Sequence, residues 1–295
     1  MSATLPRNEM ITIKDGLTLH CLVWGTNKAR RATAFLLVHG LASNARVWSG
    51  VAARLVELGH FVVAVDQRCH GRSAKLDSCF DVTCFAKDLE LLIGTLDLND
   101  VVVVGQSWGA NVVIELAYSA PNSVRGVVAI DGGTIQLRRH YRDWDDCATQ
   151  LAPPDLSGTL FSQFESAFRL AHPNWPEEGI IGTMENMELL HDGTIRPWLR
   201  RDHHMKILRG LWEHNPEPTF SKTEAPVLFL PAATPPGEQS SGWASDKHAE
   251  VERAVALLRR ARVSWFHDAD HDLHAQYPLR VAQELHSEVT EGIFS

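Results

Sequence analysis

Long apolar runs alternate along the first half of the chain with segments of helical periodicity. Four runs are dominated by valine, leucine, isoleucine, alanine and phenylalanine, which is typical of strands covered on both faces. These runs are residues 32–38, 61–65, 101–104 and 124–130. Between them, apolar side chains recur three and four positions apart at 45–58, 81–96 and 110–120. The pattern predicts a mostly parallel sheet with helices on both faces.

The two ends of the chain extend this sheet. Residues 10–14 and 17–24 alternate apolar and polar positions around Asp15-Gly16, which predicts a hairpin. After residue 218 the alternation resumes, with strands expected at 226–230 and 263–266 and helices at 245–260 and 276–289. We therefore expect one α/β core made of residues 1–133 and 219–295.

Residues 134–218 interrupt the rhythm with a segment that has no strong strand pattern and is rich in aromatic residues and prolines. Because the segment follows a central strand directly, we interpret it as a helical cap over the carboxyl ends of the strands. The alternative is a set of helices that only covers a sheet edge. Four tryptophans of this segment are expected to line a substrate pocket: Trp144, Trp175, Trp198 and Trp212.

Composition changes this picture little. The chain has 295 residues and a formal net charge of −8, which argues against nucleic acid or an anionic membrane as a partner. No apolar run approaches the length of a membrane span, and residues 1–10 lack the apolar stretch of a signal peptide. The five cysteines are odd in number and form no C-x-x-C pair, which favours free thiols and a cytoplasmic location. We expect a small-molecule partner and leave the oligomeric state open.

A nucleophile motif follows the run of four valines. Gly105-Gln-Ser107-Trp-Gly109 fits G-x-S-x-G and lies between a predicted strand and a predicted helix. In such a turn the serine backbone is strained, and the glycines two positions away leave room for it. The helix that follows directs free N–H groups toward a developing oxyanion.

Three further segments strengthen this interpretation. They are His39-Gly40-Leu41, residues 66–73 (DQRCHGRS) and residues 267–274 (HDADHDLH). With the G-x-S-x-G turn, they make the chain resemble the α/β-hydrolase family over essentially its whole length. The resemblance implies an α/β-hydrolase fold, with a mostly parallel central sheet and an inserted helical cap.

The resemblance also assigns roles. Ser107 is expected to be the nucleophile, and His271 the base that activates it. His267 and His274 are the competing histidines. The backbone N–H groups of Leu41 and Trp108 are expected to form the oxyanion hole, with His39 and Gly40 beside the substrate.

The third member of the triad is less well defined by the sequence. After the strand at 226–230 the chain reads PAATPPG, without the carboxylate that the family commonly has there. Asp131, at the end of the strand beside the Ser107 strand, is the preferred acid, and Gly132-Gly133 is expected to leave space for its approach to His271. Glu238 and Asp246 are the alternatives.

These residues predict a serine hydrolase that cleaves an ester, lactone or related acyl bond of a small, largely apolar molecule. Carbon–carbon bond hydrolysis and a cofactor-free perhydrolase or lyase are alternatives on the same fold, and a non-catalytic receptor is a weaker one. Epoxide hydrolases and haloalkane dehalogenases are disfavoured because they need a carboxylate in place of Ser107. No cofactor is expected. The histidines and aspartates of residues 267–274 could bind a metal, but we expect none.

Overall fold

The computed structural model describes residues 5–26, 33–233 and 243–295. In chain order the strands are β1 (Arg7–Thr12), β2 (Thr18–Trp24), β3 (Ala34–Val38), β4 (Phe61–Val65), β5 (Val101–Gln106), β6 (Gly126–Ile130), β7 (Met187–Leu189), β8 (Ile195–Pro197), β9 (Val227–Leu230), β10 (Ala232–Ala233), β11 (Ala261–Val263) and β12 (Phe266–His267). The helices are α1 (Ser49–Glu57), α2 (Val82–Thr95), α3 (Trp108–Ser119), α4 (Trp144–Leu151), α5 (Phe161–Ala171), α6 (Glu177–Met184), α7 (Arg201–Glu213), α8 (Glu217–Phe220), α9 (Trp243–Leu257), α10 (Leu273–Gln276) and α11 (Pro278–Thr290).

Eight strands form the central sheet in the order β1-β2-β4-β3-β5-β6-β9-β11. β1 pairs with β2 and β2 with β4 in antiparallel fashion, and the remaining neighbours are parallel. The predicted mostly parallel sheet and its opening hairpin are confirmed. Since parallel strands end at one edge, β3, β5 and β6 bring their following residues to a common place.

The continuous apolar runs are buried on both faces. Every residue of β3, β4, β5, β6 and β9 is buried. Fully burying one valine or leucine side chain contributes about 1.5–3 kcal/mol relative to leaving it exposed, so these strands dominate the core. The rigid core in turn fixes the strand ends from which the site is built.

Element boundaries differ locally from the sequence pattern. The helix predicted at 45–58 begins as a 3₁₀ turn at Ala45–Trp48, capped by the Asn44 side chain, before α1 starts. The strand predicted at 263–266 is split, because β11 pairs with β9 whereas β12 pairs with β10. The predicted helix 81–96 is α2, with the Asp81 side chain accepting the N–H of Cys84 as its N-cap.

Residues 134–218 contain the four helices α4 to α7, the first two residues of α8 and one short antiparallel hairpin, β7–β8. The hairpin strands have three residues each, too few to show in the sequence pattern. Helix α6 lies against the 3₁₀ turn of the core: a Cβ atom on Gly182 would come within 2.7 Å of the Val47 Cα. This segment therefore touches the core directly beside the carboxyl ends of the strands.

The cysteines correct one expectation. Cys79 and Cys84 form a disulfide, whereas Cys21, Cys69 and Cys147 are free and buried. The two cysteines of the disulfide have C-x4-C spacing. They meet because Cys79 lies in the loop that leads into α2 and Cys84 lies in the first turn of that helix. In the described ranges, no helix combines the length and the apolar character needed to cross a bilayer.

Candidate active site

Ser107 occupies a strained turn between β5 and α3. Its backbone has φ +54° and ψ −126°, a conformation that costs a non-glycine residue of the order of 1–3 kcal/mol. A Cβ atom on Gly105 would overlap the carbonyl oxygen of Gly109, and one on Gly109 would overlap that of His39. The Ser107 N–H donates to the Ile130 carbonyl at 2.9 Å, which ties the turn to β6. The geometry is that of a nucleophile elbow.

The glycine after Asp131 serves the same turn. A Cβ atom on Gly132 would overlap the carbonyl oxygen of Ser107. The sequence suggested that Gly132-Gly133 clears a path between Asp131 and His271. The structure shows instead that the missing side chain of Gly132 makes room for the Ser107 backbone, while the Gly133 N–H donates to Asn111 at 3.1 Å.

The side chains of Asp131 and His271 are joined by a direct hydrogen bond. Nδ1 of His271 lies 2.6 Å from Oδ2 of Asp131, although 140 residues separate them in the chain. Oδ1 of Asp131 accepts the Ala232 N–H at 2.9 Å and the Lys247 ammonium at 2.7 Å. The Asp131 side chain is 3% exposed, so its carboxylate has three donors in place of water. A carboxylate at Nδ1 places the proton there and leaves Nε2 of His271 as the free base.

The same contacts set the ionisation of the pair. Burial would raise the pKa of Asp131, but the hydrogen bond from His271, its charge and the Lys247 ammonium lower that pKa overall. Burial would lower the pKa of His271, but the bond to Asp131 and the negative charges of Asp131 and Asp272 raise it. The Asp131 carboxylate therefore stabilises the protonated, imidazolium form of His271.

Ser107 and His271 line one cavity of about 140 Å³. Its other lining residues come from the loop and 3₁₀ turn after β3, the last residue of β5, α6 and its end, and the His271 loop with α10: Gly40, Leu41, Ala42, Ser43, Val47, Gln106, Thr183, Asn186, Asp272, His274 and Ala275. The side chains of Ser107 and His271, both within the described residues, are not hydrogen-bonded to each other in this structure. Catalytic hydrogen bonds of this kind often form only once substrate is bound.

The two predicted oxyanion donors lie beside Ser107. Leu41 belongs to the cavity wall, and Trp108 is the first residue of α3. Neither backbone N–H donates to another described residue, so both can serve a ligand. Their use as an oxyanion hole stays a prediction.

His39 does not line the cavity but supports the loop that does. It is fully buried, its Nδ1 lies 2.7 Å from the Gly40 carbonyl and its Nε2 accepts the Gln67 N–H at 3.1 Å. These partners require a neutral ring with the proton on Nδ1. Burial lowers the pKa of His39 accordingly. The ring thus holds the loop that carries Gly40 and Leu41.

The structure places none of the four predicted tryptophans in the wall of this cavity. Trp144 and Trp212 pack together with ring centres 6.3 Å apart, and Trp198 lies 5.9 Å from the Lys75 ammonium. Trp175 is buried and donates through Nε1 to Asp270 at 2.7 Å. The aromatic content of the segment suggested a pocket lining, but it does not specify which neighbours each tryptophan covers.

Of the two competing acids, only Asp246 is among the described residues, and it is not beside His271. Asp246 is an exposed side chain that lies 3.8 Å from Nδ1 of His140, and Glu238 is outside the described residues. Of the competing histidines, His267 is exposed, whereas His274 is buried in the cavity wall. Thr183, Asn186 and Lys247 were not singled out from the sequence, and no local pattern marks them. Asp272 was considered only as a possible metal ligand, and it lies in the cavity wall.

A metal cluster at residues 267–274 is not assembled. Among the described residues, two groups of three ligand-type atoms lie within 4.8 Å of one another, and neither includes a residue of this loop. One group contains the disulfide cysteines Cys79 and Cys84. The other, Asp77, Asp202 and His203, already has Arg200 and Lys206 as ion-pair partners.

Comparison with known proteins agrees with this geometry. The family described as "Alpha/beta hydrolase family" matches residues 35–284. A 2-(acetamidomethylene)succinate hydrolase of Mesorhizobium japonicum is 29% identical over 198 residues, which cover 66% of this chain and 68% of that protein. An uncharacterized protein of Mycobacterium tuberculosis is 33% identical over 102 residues, or 35% of this chain, and the match spans only 30% of its length.

Among solved structures, E-2-(acetamidomethylene)succinate hydrolase superimposes with a TM-score of 0.76. The match covers 95% of this chain and 97% of that one at 23% identity. At this identity, the likeness establishes the fold and not the substrate.

Proposed function

The chain belongs to the alpha/beta hydrolase family, and on that premise we propose that it is a serine hydrolase cleaving an ester, lactone or related acyl bond of a small molecule. One observation carries the proposal: Ser107 lies in a strained elbow and shares a cavity with His271. The Nδ1 atom of His271 is hydrogen-bonded to the buried carboxylate of Asp131. This arrangement supplies a nucleophile, a base and an orienting acid.

The proposed reaction has two halves. The Ser107 Oγ attacks the acyl carbon while its proton passes to Nε2 of His271, and the carbonyl oxygen becomes an oxyanion facing the N–H groups of Leu41 and Trp108. The proton then passes from Nε2 to the leaving oxygen as the bond to the acyl carbon breaks. A water molecule, deprotonated by the same nitrogen, attacks the acyl carbon of the acyl-enzyme. The bond from this carbon to the Ser107 Oγ then breaks, Nε2 returns the proton to Oγ, and the acid leaves.

Residues 134–218 are the proposed cap. Thr183 and Asn186, at the end of α6, contribute to the cavity wall. The buried side chain of Asn44 donates to the Gly182 carbonyl at 2.9 Å and to the Asn186 side chain, so one core residue holds this part of the segment over Ser107. The small cavity supports a compact substrate group. The placement of the four tryptophans removes the earlier reason to expect an apolar one.

Labelling with a fluorophosphonate probe tests the proposal. Wild-type protein should lose esterase activity in proportion to modification of Ser107, identified by peptide mass spectrometry. Ser107→Ala should not be labelled and should lose at least about 10⁴-fold in kcat. Ser119→Ala, at the far end of α3, is the matched control and should keep both properties.

An unlabelled Ser107, or an active Ser107→Ala variant, would exclude the serine mechanism. A panel of aryl esters, lactones and 1,3-diketones then separates acyl-ester cleavage from carbon–carbon cleavage. Turnover of the diketones with inert esters would favour the alternative.

A further inference from the structure

Gln106 is the last residue of β5, directly before Ser107, and it is buried. Its side-chain Nε2 donates to the main-chain carbonyl of His271 at 3.3 Å, although 165 positions separate the two residues in the chain. The Gln106 amide therefore connects the strand that carries the proposed nucleophile with the loop that carries the proposed base.

The same amide borders the loop after β3. A Cβ atom on Gly40 would overlap Oε1 of Gln106 and would come within 3.1 Å of the Ser107 Cβ. The missing side chain of Gly40 thus makes room for the Gln106 amide, and Leu41 follows Gly40 in the cavity wall. One buried side chain therefore lies against all three parts of the proposed site, which are the nucleophile, the base and the oxyanion loop.

His271 is consequently held at two points. Its ring is bonded through Nδ1 to the Asp131 carboxylate, and its main-chain carbonyl is bonded to the Gln106 amide. The two partners stand at neighbouring strand ends, because Gln106 pairs with Ile130 in the register of β5 and β6 and Asp131 follows Ile130. A single bond at Nδ1 leaves the imidazole free to pivot, so a second contact on the main chain is needed to fix the position of Nε2.

Other hydrogen bonds of the His271 loop come from different parts of the molecule. The Asp270 carboxylate accepts the Trp175 Nε1–H, the Asp270 N–H donates to Gln276, and the Asp268 carbonyl accepts the Tyr277 hydroxyl. These partners belong to the proposed cap or to the residues that follow the loop. The bonds from the strand ends both meet at His271, which is the residue whose position the chemistry requires.

We propose that Gln106 is a positioning residue for the base: its amide fixes the main chain of His271, and thereby the distance from Nε2 to the Ser107 Oγ, while Asp131 fixes the tautomer. A misplacement of a reacting group by about 1 Å can cost about 100-fold in rate, so one such contact has a measurable effect. The inference rests on the proposed serine hydrolase and adds a residue to the machinery of that site.

Substitution of Gln106 tests the inference. Gln106→Met removes the amide but keeps a side chain of similar length and volume. Because His271 acts in both halves of the reaction, kcat on an aryl ester should fall by about 10- to 100-fold with KM nearly unchanged. The rate constant for fluorophosphonate labelling of Ser107 should fall by a similar factor. Gln106→Asn keeps an amide that is one methylene too short to reach the His271 carbonyl, so it should show the same losses and replaces Gln106→Met if that variant does not fold.

Gln276→Met is the matched control. Oε1 of Gln276 accepts the Asp270 N–H at 2.7 Å, so this glutamine also bonds to the main chain of the His271 loop. Its bond is exposed, and water can replace the lost partner, so kcat and the labelling rate should stay near those of the wild type. Equal losses in Gln276→Met and Gln106→Met would mean that the loop needs tethering in general, and would overturn the assignment to Gln106.

The pH profile separates positioning from a general loosening of the loop. Gln106 bonds to the main chain and not to the ring, so in Gln106→Met the plateau of kcat/KM should fall while its acid limb stays at the wild-type pH. A limb that moves to lower pH would mean that the ring has lost Asp131, the partner that raises the pKa of His271. That result, a raised KM with unchanged kcat, or labelling at the wild-type rate would overturn the inference. A wild-type protein that is not labelled at Ser107 would instead exclude the serine mechanism itself.

Discussion

The strand ends and the proposed cap are constrained to different degrees. At the strand ends, Asp131 has three donors, and glycines such as Gly105 and Gly132 have no space for even one added carbon. In the segment 134–218, helix α5 has no buried residue, and Leu170 on it is 84% exposed. The region that would perform the chemistry is fixed by backbone contacts. Within the segment 134–218, α5 lacks such contacts and is free to vary, whereas α7 is anchored in the core by buried residues such as Ile207 and Leu211.

The two regions meet at α6. Gly182 lies against the 3₁₀ turn of the core, and Asn44 bonds to the end of the helix. Further out, Arg169 of α5 forms exposed ion pairs with Glu165 of the same helix and with Glu177 of α6. Exposed pairs of this kind contribute little, commonly less than about 1 kcal/mol each. Substitutions in the two regions should therefore affect different properties.

The largest effect is expected from Asp131 in the strand-end region. Asp131→Asn keeps the shape of the side chain but removes the negative charge that stabilises the His271 imidazolium. The substitution also favours the wrong tautomer of His271. We expect kcat to fall by up to about 10⁴-fold with little change in KM. Steady-state kinetics on an aryl ester, with circular dichroism to verify folding, is the measurement.

Asp246→Asn is the matched control, because Asp246 is the exposed alternative acid, near His140 instead of His271. It should keep wild-type kcat. The opposite ranking of the two variants would move the acid to Asp246 in the first turn of α9 and break the contrast between the regions.

The sequence predicted the strand-end region well because its signals are local. Four valines followed by Gly105-Gln-Ser107-Trp-Gly109 specify a buried strand and a tight turn within nine residues. The preference for Asp131 depended on the strand end where it stands. The structure places Asp131 against His271, although its role as catalytic acid stays a prediction.

Other features depend on tertiary contacts that no local pattern encodes. Lys247 reaches Asp131 from α9, 116 residues later in the chain. Trp144 and Trp212 lie in helices, whereas Trp175 and Trp198 lie in loops, and only tertiary packing determines that all four lie away from the cavity wall. The cavity wall that contains Ser43, Thr183, Asn186 and Asp272 likewise appears only when three separate segments are brought together.

A smaller effect, and one on selectivity, is expected from the proposed cap. Asn186→Ala removes a polar wall residue and one partner of Asn44, so it should change kcat/KM ratios between substrates by about 10-fold and at most about 200-fold. Trp144→Phe, a control in the same segment but outside the cavity wall, should leave these ratios near wild type. Equal changes in both variants would show that the segment acts as a whole and not through its wall residues.

The smallest effect is expected from Lys247, and it concerns pH. The Lys247 ammonium lowers the pKa of both Asp131 and His271, while the bond to Asp131 raises that of His271. His271 must be neutral to accept the Ser107 proton, so kcat/KM falls as the pH drops through the pKa of His271 in the free enzyme. Because this pKa is raised, the acid limb of the wild-type profile should lie above pH 6.5.

Lys247→Gln removes a positive charge near the imidazole, so the acid limb should move to still higher pH while the plateau changes little. The shift should be modest, because the His271 side chain is 51% exposed and solvent screens the charge. Lys247→Arg keeps the charge and should keep the wild-type limb. If the acid limb of the kcat/KM profile moves to lower pH in Lys247→Gln, the Lys247 ammonium acts on His271 mainly by holding Asp131 in position. Geometry would then outweigh charge at the strand ends, as it does in the glycine contacts around Ser107.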